Sequence, residues 1–491
     1  MRRLAALLPL ALAACAVGPN YREPLPPKVA AGQLRETDLA LVTPTPLPAR
    51  WWRLFEDPAL DRLVERALAN NTDLRQAAAN LQRSRFILQE ARAGRLPTNE
   101  LTAQYQRIRL GGATTLGGAF GGGAGGVPTI DLFTLGSNAS YEVDLFGGVT
   151  RAVQAAVADA QAAQAQVDAA RVSVAAETAR AYAQACSFAA QAAVARETAA
   201  LQRRTLDLTR RLFAGGRNTA REVAQAQVLV EQADAQVPSF EAERRAALYA
   251  LAFLTGDTPE GVDAVAARCA VPPGTRMLIP VGDGRTLLAR RPDIRQAERT
   301  LAADVARIGV ATADLYPRIS LLGSPSLGAS RIGDLGTSRS FGFSIGPLIS
   351  WNFPFQGAAR ARVRQSEAQA DASLAAFDGA VLRALQETEQ ALARLGGTVR
   401  TEQSLARAEA ASAEAARISN LRFRAGADNF LQLIEAERDR AAARAQLAQA
   451  RADRADAQVA LFRALGGGWE DAPAIVERGF RDAATEPKRA E

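Results

Sequence analysis

Residues 341–353 read FGFSIGPLISWNF, and every odd position is apolar: Phe341, Phe343, Ile345, Pro347, Ile349, Trp351 and Phe353. Most even positions are small or polar. A period of two held this long describes a strand with one apolar and one wet face. Residues 135–145, LGSNASYEVDL, repeat the pattern, setting Leu135, Ala139, Tyr141, Val143 and Leu145 against Gly136, Asn138, Ser140, Glu142 and Asp144. Alternating strands of about ten residues among long helical tracts point to a membrane β-barrel built on a helical body.

The second half of the chain repeats the first. Asp73-Leu74-Arg75-Gln76-Ala77 returns as Asp293-Ile294-Arg295-Gln296-Ala297, and Leu81 and Pro97 return at the same spacing as Leu301 and Pro317. Further on, Phe213 and Gly216 match Phe423 and Gly426, and Leu251 and Gly256 match Leu461 and Gly466. Each half reads helix, two strands, very long helix, turn, helix. Strands are expected at about 98–108 and 135–146 in the first repeat (51–270), and at about 318–327 and 341–355 in the second (271–470). The long helices run from about Gly148 to Phe213 and from about Ala358 to Arg424. At 1.5 Å per residue each is roughly 100 Å long, well beyond a globular helix. Pro238 has Ala448 as its counterpart, so a kink is expected in one return helix only. The glycine-rich run 111–126 lacks the Gly-Lys-Ser/Thr ending of a phosphate cradle and reads as a hairpin loop.

The chain opens with a targeting segment. Met1-Arg2-Arg3 precedes the apolar run Leu4–Ala14, which is too short to span a bilayer. Residues 1–14 are therefore expected to be a signal peptide. Leu12-Ala13-Ala14-Cys15 has the form of a bacterial lipobox, which makes Cys15 the expected site of lipidation. Residues 15–50, rich in Pro and Ala, read as a lipid-bearing extended tether, and 471–491 as a polar tail. No later stretch is long and apolar enough for a membrane helix, so any spanning falls to strands.

Composition narrows the function classes. The formal charge is +7, but lysine occurs only at Lys28 and Lys488, and Arg alternates with acids along helices, as in ETEQALARL at 387–395. That is a solvated helix face rather than a nucleic-acid surface. The chain has no histidine, which removes the commonest general base and metal ligand. No metal-ligand spacing is present and the carboxylates fall in regular helix patterns, so neither an enzyme, a metal site nor a cofactor is expected. Beyond Met1 the only methionine is Met277, so the chain shows no metal relay. Cys186 and Cys269 fit one disulfide or two buried thiols equally. An intracellular coiled-coil scaffold would explain the helices, but neither the export signal nor the strands.

Four strands cannot close a barrel alone, because their outer edges would leave unpaired N–H and C=O groups in lipid. Three chains would give twelve strands and a water-filled pore. The expected architecture is mainly α with a membrane β-barrel. It is a homotrimeric 12-stranded barrel continuous with a long periplasmic α-helical barrel, each chain an internal duplication.

Several long stretches resemble one family. WWRLFEDPALDRLVERALANNTDLRQAAANL (51–81), YEVDLFGG (141–148), RRPDIRQAERTLAADVARIGVATADLYPRISL (290–321) and FRAGADNFLQLIEAE (423–437) are similar to the TolC-like outer-membrane channels, closest to the lipidated OprM/NodT type. The resemblance implies a homotrimer in outer-membrane lipid, joined through a periplasmic adaptor to an inner-membrane pump of the RND class. Such a channel conducts small molecules such as drugs outward. The exit duct of a type I protein-secretion system is the alternative within the same fold. The family's periplasmic gate maps onto Leu431 as the apolar position and Glu435 as the acidic one, with Arg438 and Asp428 able to join its ion pairs. Glu435 stands where related channels often carry Asp. Arg221 and Gln225 occupy the equivalent places in the first repeat. The turns at Gly215-Gly216 and Ala425-Gly426-Ala427 are the implied adaptor-docking points.

Overall fold

Asp57 accepts hydrogen bonds from the backbone N–H groups of Ala59 (2.8 Å) and Leu60 (3.4 Å), and Pro58 takes the first helical position. Cap and proline together start α1 (Pro58–Asn70). The computed structural model describes residues 16–24, 32–36, 41–109, 129–275 and 277–476. The signal segment 1–14, Cys15, the glycine-rich run 111–126 and tail residues 477–491 lie outside the described residues.

After α1 come α2 (Thr72–Ala93), β1 (Thr98–Arg109), β2 (Thr129–Val143), α3 (Gly148–Ala214) and α4 (Ala220–Leu254). The second repeat adds α5 (Gly284–Arg290), α6 (Pro292–Ala313), β3 (Arg318–Ala329), β4 (Phe341–Ser350), α7 (Gly357–Arg424) and α8 (Phe430–Ala464). Helix α4 is continuous through Pro238. No helix among the described residues is long and apolar enough to cross a membrane. Two compact units divide the chain.

The first unit comprises residues 1–24, 82–161 and 298–375. Its strands form one antiparallel sheet in the order β1-β2-β3-β4. The two repeats thus join through β2 and β3, with Leu135 opposite Leu327 and Val143 opposite Ile319. Two strand limits differ from expectation. β2 begins at Thr129 because it pairs with the full length of β1, Arg109 facing Thr129. β4 stops at Ser350, whose partner Arg318 is the first residue of β3. β1 and β4 are open edges, and Pro347 is tolerated on β4 for that reason. The alternating residues Phe341, Phe343, Ile345 and Ile349 are all exposed, as are Leu101 and Tyr105.

The start of the segment expected to be an extended tether lies along the body of this unit and bonds to it. Val17 N–H donates to Phe146 O at 3.1 Å. Arg151, 4% exposed, donates to the carbonyls of Val17 and Gly18 (both 3.2 Å) and to Asn20 Oδ1 (2.8 Å). Gly18, at φ +85°, lies so close to Gly309 that a Cβ would come within 2.5 Å of its Cα. Tyr21 donates to Glu298 and packs against Ala158, Ala302 and Ala303.

The second unit comprises residues 25–81, 162–297 and 376–491. Its core gathers Trp51, Trp52, Phe55, the apolar face of α1 and Phe462. Trp51 stacks on Phe462 with centroids 4.7 Å apart, and Phe55 meets the same ring edge-on at 5.7 Å. Leu34, Val42 and Leu47 enter this core, and Val42–Thr43 pairs in parallel with Ile279–Pro280. The N-terminal segment is therefore partly structural. Cys186 on α3 and Cys269 in the α4–α5 connector form a disulfide with Cα atoms 5.0 Å apart.

Candidate functional site

The two helical turns of the second unit have the same backbone. Gly216 and Gly426 both take the left-handed conformation, φ +69° and +75°, which glycine adopts without a Cβ penalty. Arg217 N–H donates to Leu212 O and Ala427 N–H to Arg422 O, each at 2.9 Å, closing the ends of α3 and α7 in the same six-residue pattern. Each return helix then starts on a reciprocal cap, Thr219 with Glu222 and Asn429 with Gln432. A Cβ at Gly426 would stand 3.8 Å from Arg217 Nη2, so the turns are neighbours. Gly215, Gly216, Ala425, Gly426 and Ala427 are all exposed.

Beneath the turns Leu206, Leu229, Val230, Phe423, Phe430, Leu433 and Ile434 form a small apolar core. It fixes which face of α8 is buried. Phe430, Leu433, Ile434 and Glu437 fall at i, i+3, i+4 and i+7 and point inward. Leu431, Glu435 and Arg438 lie on the opposite face and are exposed, Leu431 to 58%. A leucine so placed is apolar surface that its own chain leaves uncovered.

The predicted gate residues are thus brought together in part. Leu431, Glu435 and Arg438 share one face of α8. Among the described residues no hydrogen bond or ion pair joins Glu435 to Arg438. Asp428 is engaged elsewhere: its carboxylate accepts from Arg422 Nε at 2.8 Å. The repeats differ at the turn as well as in residue type, since Phe423 is buried while its counterpart Phe213 is exposed.

Sequence reasoning passed over Glu437. It is buried, and burial raises its carboxyl above the ordinary range, with Arg440 drawing it back. Its position on the inward stripe of α8 was the available signal. A second buried acid, Asp168 on α3, is likewise raised by burial and held by Arg171 at 3.1 Å and Arg295 at 3.7 Å. Nearby, an open groove of about 1070 Å³ is lined by Glu177, Arg180, Arg383, Arg394, Asp453 and Arg463. Such alternating charge suits a wall in contact with water.

Comparison with known proteins shows the family. The family described as outer membrane efflux protein matches residues 63–257 and 284–467, one match in each repeat. The pyoverdine export outer membrane protein OpmQ of Pseudomonas aeruginosa is 32% identical over 428 residues, 86% of this chain and 88% of that protein. Outer membrane protein OprJ of Pseudomonas aeruginosa is 31% identical, covering 97% of this chain and 98% of its own length. Among solved structures, the outer-membrane channel OprN superposes with a TM-score of 0.86 at 35% identity, covering 93% of this chain and 100% of that one. The open state of the MtrE outer membrane channel of Neisseria gonorrhoeae gives a TM-score of 0.80 at 28% identity, over 93% and 99%.

Proposed function

This chain belongs to the outer membrane efflux protein family, and from that premise we propose that it works as a homotrimeric duct, fed by a periplasmic adaptor and an inner-membrane pump of the RND class. It is an outer-membrane efflux channel, and its relatives are channel components rather than enzymes. The observation that carries the trimer is the open sheet: among the described residues two free edges flank four strands, and many of their alternating apolar side chains are exposed. Three copies joined edge to edge would satisfy those backbone groups and give twelve strands around a pore.

The paired, exposed turns support a docking end, with Gly215, Gly216, Ala425, Gly426 and Ala427 as the adaptor's contacts. A photo-reactive side chain placed at Ala427 in cells is expected to capture a periplasmic adaptor. Capture of an adaptor belonging to an ATP-driven protein exporter would move the channel to secretion. Capture of none would remove the docking assignment. Leu431, Glu435 and Arg438 support a gate where the α8 faces of three copies meet, with Arg422 holding Asp428. The passage of small molecules through so wide a duct leaves selection of cargo to the pump.

Cys15 remains the proposed lipid-bearing residue. The motif around it supports the reading, and the docked residues 16–21 immediately downstream suit an anchor fixed to the body. Cys15→Ser is expected to abolish incorporation of labelled palmitate; uptake at the wild-type level would refute the assignment.

A further inference from the structure

The apolar stripe of β4 continues beyond the strand. Trp351, Phe353 and Phe355 keep the odd parity of Phe341 and Ile349, and all three are exposed, Phe355 to 89%. Trp351 stacks on Phe353 with centroids 4.6 Å apart and donates its indole N–H to Leu315 O at 3.1 Å. An aromatic cluster that closes an apolar stripe, with its one polar atom satisfied, marks the plane where hydrocarbon gives way to headgroups.

The chain turns basic immediately after these rings. The first eight residues of α7, 357–364, hold Arg360, Arg362 and Arg364 and no acid. Cations at this end of a helix oppose its dipole unless an anion offsets them. The first repeat supplies such an anion at the corresponding place: Asp144 accepts from Val149 N–H (2.9 Å) and Thr150 N–H (2.7 Å) at the start of α3. In the second repeat Asp314 lies 4.0 Å from Arg362 and also binds Arg318. Arg360 and Arg364 remain, one turn apart on a single face, exposed and without an ion pair among the described residues.

We propose that the aromatic end of the β4 stripe, together with Arg360 and Arg364, binds the phosphate of anionic phospholipid headgroups in the leaflet facing the helices. The distances agree. Arg360 and Arg364 stand roughly 5 and 11 Å along α7 from its first residue, and the headgroup layer on each side of a bilayer is about 5–8 Å thick. Arginine stems reach several ångströms toward such a layer while their guanidinium groups stay hydrated. The three rings fix depth and the two cations select charge. The inference rests on the outer-membrane reading above.

The test uses the purified full-length protein in a neutral detergent, with its thermal midpoint followed as phosphatidylglycerol or phosphatidylcholine is added. Wild type should gain several degrees more from phosphatidylglycerol than from phosphatidylcholine. Arg360→Ala with Arg364→Ala should respond equally to both lipids, and the paired Lys substitutions should keep the preference. If the double alanine variant does not fold, Arg360→Gln and Arg364→Gln taken singly should each lose about half of it. A preference retained in the neutralised variants overturns the proposal, as does an equal gain from inorganic phosphate or a wild type blind to lipid charge. A protein that fractionates with the outer membrane and conducts ions, yet shows no lipid preference, would refute this site and leave the channel reading intact.

Discussion

In planar bilayers, the channel carrying Leu431→Ala and Glu435→Ala together is expected to conduct several-fold more than wild type. The reason lies in how α8 is seated. Phe430, Leu433 and Ile434 bury one face in the small core beneath the turns, so that core holds the opposite face outward. Leu431 and Glu435, four residues apart on that face, are then repeated in every copy around the axis of the proposed trimer. Removing the leucine side chain deletes apolar contact between copies and widens the aperture. Removing the carboxylate deletes an acceptor that Arg438 of a neighbouring copy can use. Because neither substitution touches Phe430 or Leu433, the helix itself should remain folded, which circular dichroism would confirm. Unchanged conductance in a folded double variant would dismiss both residues from the gate.

The second large effect concerns Cys186 and Cys269. Replacing both with serine should destabilise the second unit by up to about 4.5 kcal/mol, the loop-closure value for a bridge across 83 residues. The loss should be local. Connector residues near Cys269 are otherwise held by Arg244 donating to Ala267 O, and by Gln458, which accepts from Thr275 N–H and donates to Thr275 O at 3.3 Å each. Limited trypsin digestion read by mass spectrometry should therefore cut first at Arg268 in the serine variant, with the sheet-bearing fragments intact. An unaltered digestion pattern would mean that those hydrogen bonds suffice without the bridge.

Much of this structure is legible in the order of residues, because its signals are local. The parity of Phe341 to Phe353 displays a strand without any knowledge of its partners. The recurrence of Asp73-Leu74-Arg75-Gln76 as Asp293-Ile294-Arg295-Gln296 displays the duplication. The long helices end where Gly216 and Gly426 allow a left-handed residue. Other features depend on contacts between distant segments, which periodicity does not encode. The clamp of Arg151 on Val17, Gly18 and Asn20 is one, since nothing near residue 20 signals a buried guanidinium. The disulfide is another: two cysteines permit a bond, and only the placement of the connector against α3 makes it. The start of β2 is hard to read because the adjoining Leu132-Phe133 pair breaks the alternation beside the glycine-rich run. Within the candidate gate, the exposed face of α8 follows from helical spacing, but the engagement of Asp428 by Arg422 depends on how the turn closes.

The two open edges of the sheet also fix an order of events. A solitary chain entering the bilayer would carry the free N–H and C=O groups of β1 and β4 into hydrocarbon, at several kcal/mol for each group left unsatisfied. Copies must therefore meet before insertion or during it, never afterwards. Until they meet, each newly exported chain would hold an apolar stripe in water, a hazard for aggregation and proteolysis. A substitution along either edge would then act on biogenesis: it would lower the number of finished channels while leaving each survivor's permeability untouched.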